Sequence, residues 1–375
     1  MPSPNIQPLA RSDPPHPFAS PNDVDTGLLE ENQTLLTKIE NDGLPEGLKQ
    51  ELRDSLKRLN RAMQFGAYQA EYESTAKYVN WLLSLPWVAR SADKLDLGTA
   101  KTALDTSHYG LEKIKQRILE YLAVLKLQKE KDKSESVTLS RSPVLCFVGL
   151  PGSGKTSFAG AIAAALGRKF VRIPMGGMSN ALVLRGQPRG YPEAEPGMII
   201  KSMRRAETKN PVVLLDEIDS TAEGSASDIM GVLLELLDPE QNGSFVDYYI
   251  DYPFDLSEVL FVCSANKVGN ITAAVMDRME VIIMPRYSDE DKIHIARDYL
   301  FPRELQIVGL PDGVVKFEDT VWPMVIKPFG YEIDIRNLER TINGILRKIA
   351  RKYVEGSVQQ VTINATNFRE YLPEW

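Results

Sequence analysis

The sequence predicts an α/β fold in which a parallel sheet is flanked by helices, preceded by a helical arm and followed by a small helical domain. Short apolar runs alternate with helical patterns in the middle of the chain, an order that produces parallel strands joined by helical crossovers. A glycine-rich turn follows the first of these runs. Apolar residues at helical spacing dominate both flanks of this region, which predicts helices there.

The sequence before residue 105 predicts a disordered tail followed by a helical arm. Residues 1–27 are rich in proline and have almost no apolar periodicity, so they are expected to be disordered. Residues 28–104 are expected to form the helical arm. Its clearest helix face carries apolar residues at spacings of three and four, namely Leu48, Leu52, Leu56, Leu59 and Met63. A second helical pattern, which includes Val79, Leu82 and Leu83, ends at Pro86.

Residues 105–287 are predicted to form the α/β domain. A helix is expected after Gly110, and the run Val144–Val148 has the composition of a fully buried strand. Further strand-like runs follow at 170–173, 212–215, 260–263 and 281–283. Residues 288–375 are predicted to form the small helical domain. Its strongest helix carries Leu338, Ile342, Ile345 and Ile349 on one face and leads into a short strand at 359–363.

Composition and charge narrow the range of partners and locations. The net charge of −7 argues against tight nucleic-acid binding, which requires many basic residues facing phosphates. No apolar stretch is long enough to cross a membrane. No signal peptide or organellar address is apparent in the sequence, so a cytoplasmic location is expected.

One contiguous motif predicts a phosphate site. It consists of Gly149, Leu150, Pro151, Gly152, Ser153, Gly154, Lys155 and Thr156, which together match the P-loop pattern G-x-x-x-x-G-K-[ST]. Glycines allow backbone N–H groups to converge on phosphate oxygens, and the N-terminus of the following helix adds a positive dipole. Lys155 is expected to reach the β- and γ-phosphates of ATP, and the Thr156 hydroxyl is expected to ligate Mg²⁺. A glycine-rich turn that binds nothing is the disfavoured alternative.

Two acidic residues follow a second buried run. Asp216 and Glu217 come directly after Val212–Leu215, at the end of a strand where parallel sheets bind ligands. Asp216 is expected to hold Mg²⁺ through a water molecule, and Glu217 is expected to orient and polarise the water that attacks ATP. Capping of the next helix is the alternative role for this pair.

The order of further motifs resembles the Lon family of AAA+ ATPases from about Leu35 to about Leu372. The stretches that carry this resemblance are Tyr78–Trp87, His108–Lys113, Gly167–Ile173, Leu237–Asn242, Asp255–Ser257 and Asp277–Val281. The resemblance implies a P-loop AAA+ core with a lid, and coupling of ATP hydrolysis to the unfolding or remodelling of polypeptides. It also implies a homo-oligomeric ring, most simply a hexamer.

The resemblance also assigns roles to single residues. Asn266, after the strand at 260–265, matches the polar sensor that helps to place the attacking water; without the family it would be taken as a turn residue. Tyr109 is expected near adenine, and a packed core tyrosine is the alternative. Arg336 matches the second sensor, which the lid carries, and the alternative is a solvated charge on a helix face.

Arg278 matches the arginine finger, which reaches the γ-phosphate bound by a neighbouring subunit. A surface ion pair with Asp277 or Glu280 is the alternative for this arginine. Tyr191 matches the aromatic residue with which the family grips polypeptide, although Pro192 follows it here. Proline stiffens the backbone.

Two further hypotheses compete with the ATP-driven remodelling machine. The proline-rich Tyr191 loop motivates a non-translocating regulatory or structural subunit that binds ATP and assembles with a full-length Lon. A DNA-handling ATPase is the weakest reading because of the acidic balance.

The segments before Leu35 and after Gly356 are too short for the N-terminal substrate domain and the C-terminal Ser-Lys protease domain of the family. Peptidase activity within this chain is therefore not expected.

Overall fold

The computed structural model describes residues 26–41, 43–63, 69–131, 144–222, 224–328 and 334–373. Apart from its last two residues, the predicted disordered tail lies outside the described residues. The chain divides into two compact units, Met1–Ser84 and Leu85–Trp375. No helix in the described ranges is long and apolar enough to cross a membrane.

The first unit contains three helices, α1 (Thr26–Asn41), α2 (Glu46–Met63) and α3 (Gln69–Leu83). Helix α1 packs against both α2 and α3. The predicted apolar face of α2 is the buried one, and Leu48, Leu52, Leu56 and Leu59 are each at most 4% exposed. The burial of Met63, the last residue of that predicted face, lies outside the described residues.

The second unit is built around a five-stranded sheet. Two helices precede the sheet, α4 (Leu97–Ser107) and α5 (Glu112–Lys131). The α/β region then runs in the order β1 (Val144–Val148), α6 (Lys155–Leu166), β2 (Phe170–Pro174), α7 (Leu182–Arg185), α8 (Met198–Ala206), β3 (Val212–Asp216), α9 (Ala226–Leu237), β4 (Phe245–Val246), β5 (Pro253–Phe254), β6 (Leu260–Ala265), α10 (Ala273–Met276) and β7 (Met279–Ile283).

The sheet confirms the predicted α/β class. Its strand order is β2-β3-β6-β1-β7, and every neighbouring pair is parallel. Strands β3 and β6 are buried along their whole length because helices cover both faces of the sheet. The carboxyl ends of β1, β3 and β6 therefore lie side by side at one edge, which is the edge where ligands bind in parallel sheets.

Helix α4 was not predicted from the sequence. It begins after Asp96, whose side chain accepts a hydrogen bond from the N–H of Thr99 at 2.7 Å. Ala100 and Leu104 belong to the same buried cluster as Phe158 of α6. The predicted boundary between residues 104 and 105 therefore falls inside a helix that packs against the α/β region.

The remaining residues form the lid. Its helices are α11 (Asp289–His294), α12 (Phe301–Val308), α13 (Trp322–Val325), α14 (Ile335–Val354) and α15 (Phe368–Tyr371), and its two parallel strands are β8 (Val315–Phe317) and β9 (Val361–Ile363). A π turn, Ile295–Leu300, joins α11 to α12. Pro302 follows this turn and has no N–H to donate to the preceding turn.

The lid has its own apolar core, centred on α14. Leu338, Ile342, Ile345 and Ile349 are fully buried, as the spacing predicted. Trp322 stacks on Phe317 with ring centroids 4.9 Å apart. The predicted strand at 359–363 is shorter in the structure, and its partner strand β8 was not predicted, because three residues carry too little pattern to be recognised alone.

Candidate active site

The P-loop connects β1 to α6 and depends on glycine at two positions. Gly154 caps α6 with a φ of 93°, a left-handed conformation that L-residues with side chains rarely adopt. A Cβ added to Gly149 would lie 2.8 Å from the carbonyl oxygen of Met284. The loop therefore passes too close to the neighbouring backbone for a side chain at this position. Two of its N–H groups have backbone acceptors: that of Gly149 donates to the Ala265 carbonyl oxygen at 3.1 Å, and that of Ser153 donates to the Leu150 carbonyl oxygen at 3.2 Å.

Lys155 is buried at the start of α6 and is held by three acceptors. Its Nζ donates to the carbonyl oxygens of Gly149 at 2.7 Å and Leu150 at 3.1 Å, and to Asn266 Oδ1 at 3.0 Å. Burial lowers the pKa of Lys155 from its ordinary value, and the three carboxylates that follow β3 oppose this shift. The structure therefore brings Lys155 of the P-loop together with the predicted sensor Asn266.

Asp216 ends β3 beside the P-loop. Its side chain is 4% exposed. Oδ1 accepts a short hydrogen bond from the Ser264 hydroxyl, and Oδ2 faces both Arg172 Nε at 2.6 Å and Thr156 Oγ1 at 3.4 Å. The two residues predicted to hold Mg²⁺, Thr156 and Asp216, are thus adjacent across the sheet edge.

Glu217 adopts a backbone conformation that is uncommon outside glycine. Its φ is 59°, in the left-handed region, and its N–H donates to Ser264 Oγ at 2.9 Å. A Cβ added to Gly176 would lie 2.8 Å from Glu217 Oε2, so the carboxylate passes close to the backbone after β2. Such strained positions persist where the surroundings determine them strongly, and they cluster at active sites.

Asp219 contacts the predicted sensor segment and was not singled out by the sequence analysis. Its two carboxylate oxygens accept hydrogen bonds from the N–H groups of Asn266 and Lys267, each at 3.0 Å. Asn270 Nδ2 donates to the Asp219 carbonyl oxygen at 3.1 Å. These contacts orient Asn266 towards Lys155. The sequence feature that could have identified Asp219 is that it is the third acidic residue in the run Asp216-Glu217-Ile218-Asp219.

These residues open into one cavity of about 400 Å³, called here the P-loop cavity. Tyr109 and Arg336, both predicted site residues, contribute to its wall. The remaining lining comes from the end of α4, the P-loop and the start of α6, strand β2, the end of β3 and the lid: Ser107, His108, Pro151, Gly152, Gly154, Lys155, Thr156, Ser157, Arg172, Asp216, Glu217, Tyr287, Ile295, Tyr299, Leu300, Arg303, Ile335 and Glu339. Aromatic and charged groups therefore both line this cavity.

Tyr109 fits both of its predicted roles. Its ring stacks on His294, with centroids 4.8 Å apart, and meets Tyr299 edge-on at 6.3 Å. The side chain is partly exposed, and it faces the P-loop cavity while packing against the lid. Proximity to a base and a packing role thus both remain open for this tyrosine.

His108, next in the chain, was not singled out by the sequence analysis. Its ring stacks on Phe158 at a centroid distance of 3.7 Å. Its two nitrogens lie 2.9 Å from Ser107 Oγ and 2.8 Å from Ser157 Oγ. Burial, with a smaller contribution from Lys115, lowers the pKa of His108 to about 4. The imidazole is therefore neutral near pH 7 and serves as an uncharged wall of the cavity.

The two predicted arginines lie in different places. Arg336 is exposed in the first turn of α14 and lines the P-loop cavity. Arg278 is not among the residues that line this cavity in the described part of the chain. Its guanidinium pairs with Asp238 at 3.0 Å and donates to the Ala274 carbonyl oxygen at 2.9 Å.

The alternative predicted for Arg278, an ion pair with Asp277 or Glu280, has the wrong partner. Arg278 pairs with Asp238, which comes from the end of α9. Glu280 pairs instead with Arg117 of α5. The partners of Arg278 and Glu280 therefore come from helices that are distant in the sequence.

Tyr191 lies in a loop that is anchored at its base. The loop runs from Gly186 to Gly197, and the Gly197 N–H donates to the fully buried carboxylate of Asp247 at 2.7 Å. The Tyr191 side chain is 65% exposed at the other end. The structure thus presents the predicted grip residue to solvent on an anchored loop.

The residues of the P-loop cavity fit a Mg-nucleotide. Thr156 and Asp216 supply hard oxygen ligands, and Mg²⁺ is usually held by one or two such groups together with water and substrate phosphates. No cluster of three or more metal-ligating His, Cys, Asp or Glu side chains occurs among the described residues. Two oxygen donors suit a metal ion whose other ligands are phosphate and water.

Comparison with known proteins agrees with this geometry. Residues 145–287 match the ATPase family associated with various cellular activities (AAA), and residues 307–361 match the Lon protease AAA+ ATPase lid domain. The chain is 43% identical to Lon protease of Lawsonia intracellularis over 92% of its length, and 43% identical to Lon protease of Dictyoglomus thermophilum over 93%. It is 42% identical to Lon protease 1 of Bacillus subtilis over 91%. It spans only 40%, 43% and 43% of these three relatives, respectively.

Proposed function

Because the chain belongs to the Lon family of AAA ATPases, we propose that it binds Mg-ATP in the P-loop cavity and hydrolyses it there. The observation that carries this proposal is the convergence of Lys155, Asp216, Glu217 and Asn266 at one edge of the sheet. A P-loop alone binds phosphate, whereas hydrolysis also needs a group that activates water.

Each residue has a role that its contacts support. Lys155 binds the β- and γ-phosphates, and it exchanges backbone carbonyl acceptors for phosphate oxygens. Thr156 and Asp216 hold Mg²⁺, which neutralises charge that develops on the phosphates. Glu217 accepts a proton from the attacking water, and Asn266 positions that water. Arg336 carries the lid's response to the γ-phosphate, since it lines the cavity from α14.

We also propose that Arg278 completes the site of a neighbouring subunit in a hexameric ring. The support is its position: it lies outside the lining of its own cavity, and its side chain is 34% exposed. An arginine finger supplied in trans stabilises transition-state charge and accounts for a large part of turnover. In this ring the exposed Tyr191 grips a polypeptide substrate, and hydrolysis drives its unfolding or remodelling.

The first test is ATP turnover per subunit across a concentration series of the purified chain. Turnover is expected to rise with concentration, because the site is complete only in the oligomer. Glu217→Gln is expected to retain nucleotide binding and to lower turnover by roughly a hundredfold or more, the usual contribution of a general base. Glu240→Gln, an exposed acid, serves as the matched control. Unchanged turnover in Glu217→Gln contradicts the proposed role of that carboxylate.

Mixing two inactive variants tests the trans role directly. Arg278→Ala subunits retain Glu217, and Glu217→Gln subunits retain Arg278, so a mixed ring contains some complete sites. Turnover is expected to reappear on mixing, although each variant is inactive by itself. Independent sites within single subunits would leave the mixture inactive.

A second candidate function is a non-translocating subunit that assembles with a full-length Lon. The observation that favours it is the proline content of the Tyr191 loop, with Pro188, Pro192 and Pro196 on both sides of the tyrosine. An unfolded polypeptide added to the pure chain decides between the two functions. Stimulated ATP turnover favours the remodelling machine. Absence of stimulation, together with co-assembly with a full-length homologue, favours the subunit.

A further inference from the structure

Arg172 of β2 contacts the proposed metal ligand Asp216. Arg172 Nε lies 2.6 Å from Asp216 Oδ2. In the sheet register Arg172 is opposite Leu214, so its side chain extends along the neighbouring strand to reach the strand end. The Arg172 side chain is 51% exposed and that of Asp216 is 4% exposed. A partly solvated cation thus covers a buried carboxylate inside the P-loop cavity.

The contacted oxygen is the one that a metal ion would need. Asp216 Oδ1 already accepts from the Ser264 hydroxyl, which leaves Oδ2 as the oxygen beside Thr156 Oγ1. Arg172 and Mg²⁺ would therefore use the same oxygen. Arg172 contacts this oxygen directly and Mg²⁺ would reach it through water, so the two cations would lie close enough to repel each other strongly in a partly buried site.

We propose that Arg172 alternates with Mg²⁺ on Asp216 and acts as a positioning residue for metal loading; this inference rests on the proposed Mg-ATP function. A buried carboxylate without a counter-charge is costly, so Arg172 neutralises Asp216 when no metal is bound. When Mg²⁺ is bound, Arg172 leaves Oδ2. Its half-exposed side chain then turns towards solvent within the cavity.

This exchange has a thermodynamic consequence for the free chain. Arg172 competes with Mg²⁺ and so weakens metal binding, while it supplies positive charge to a nucleotide that is bound without metal. Removing Arg172 therefore strengthens the coupling between Mg²⁺ and nucleotide. This coupling is the difference between the free energy of nucleotide binding with Mg²⁺ and that without it. A role restricted to holding β2 and β3 together would change stability and leave this coupling unaltered.

The experiment measures the affinity of a fluorescent ATP analogue in excess Mg²⁺ and in EDTA. The ratio of the Kd in EDTA to the Kd in Mg²⁺ is expected to rise about five- to tenfold in Arg172→Ala, the scale of one partly exposed ion pair on a buried partner. Arg172→Lys keeps the charge without the planar fork and is expected to give an intermediate ratio. Arg205→Ala, an exposed arginine of α8, is the matched control and is expected to keep the wild-type ratio.

The outcomes separate the two proposals. If the wild type binds the analogue in neither condition, the proposed function is overturned, and this inference falls with it. If the wild type binds and Arg172→Ala shows an unchanged ratio, only the role of Arg172 is overturned. Thermal unfolding checks that the variant is folded. If Arg172→Ala does not fold, Arg172→Gln, which keeps a polar side chain without the charge, must show the same rise, and an unchanged ratio there overturns the inference.

Discussion

Two groups of residues that line the P-loop cavity, called here its P-loop end and its aromatic end, are held in place by different interactions. The P-loop end, formed by Lys155, Thr156 and Asp216, is a balance of charges in which each polar group has at least one close partner. The aromatic end, formed by His108 and Tyr109, is held by stacked rings and a buried neutral imidazole. Changes at the first end should therefore alter electrostatics and turnover, whereas changes at the second should alter packing, pH response and affinity.

The largest expected effect is at the P-loop end. Lys155→Ala removes the cation that faces the phosphates and leaves Asn266 Oδ1 and two backbone carbonyls without their shared donor. ATP turnover is expected to fall by roughly a hundredfold or more, as for loss of a preorganised electrostatic group. Steady-state turnover and equilibrium nucleotide binding provide the measurement. Lys169→Ala, an exposed lysine before β2, is the control, and a similar loss in that variant would point to general destabilisation.

A smaller effect is expected at the aromatic end, in the pH dependence of stability. Because burial lowers the pKa of His108 to about 4, the folded state disfavours the protonated ring. The unfolded chain takes up a proton near the ordinary histidine pKa of about 6.5. The stability associated with the neutral ring is thus present above about pH 6.5 and is lost as the pH falls towards 4, by roughly 3 kcal/mol at most.

His108→Gln tests this origin of the pH response. The variant lacks the titrating ring, so its thermal midpoint should fall less between pH 7.5 and pH 5 than that of the wild type. His294→Gln removes a histidine from the same region but one that is 41% exposed, and it serves as the control. An equal pH response in wild type and His108→Gln would assign the acid sensitivity to other groups.

The smallest expected effect concerns Tyr109 and resolves its two open roles. If Tyr109 contacts the base, Tyr109→Leu should weaken nucleotide binding about fivefold, near the lower limit for one aromatic ring stacked on a base. If the ring only packs against His294 and Tyr299, the thermal midpoint should fall while nucleotide affinity stays unchanged. Binding titrations and thermal unfolding, with exposed Tyr353→Leu as the control, distinguish these results.

Prediction from sequence succeeded where the pattern was local and failed where partners were distant in the chain. The α/β class was predicted because each strand run carries its own apolar signature, and the structure confirms it. Helix α4 was missed because its buried side is small, with Ala100 and Leu104 as its fully buried members. Asp219 was missed because its hydrogen bonds are made to the backbone of residues 266 and 267, which the sheet brings beside it.

The sequence by itself determined the strand–turn–helix phosphate motif and the acidic strand end, because spacing along one segment sets which atoms converge there. Only the tertiary structure decided that Arg172 covers Asp216, that His108 is buried against Phe158, and that Arg278 points away from its own cavity. Those contacts join segments that are far apart in the chain. Local periodicity carries no record of such pairings, since they arise only when the parallel strands and the lid pack together.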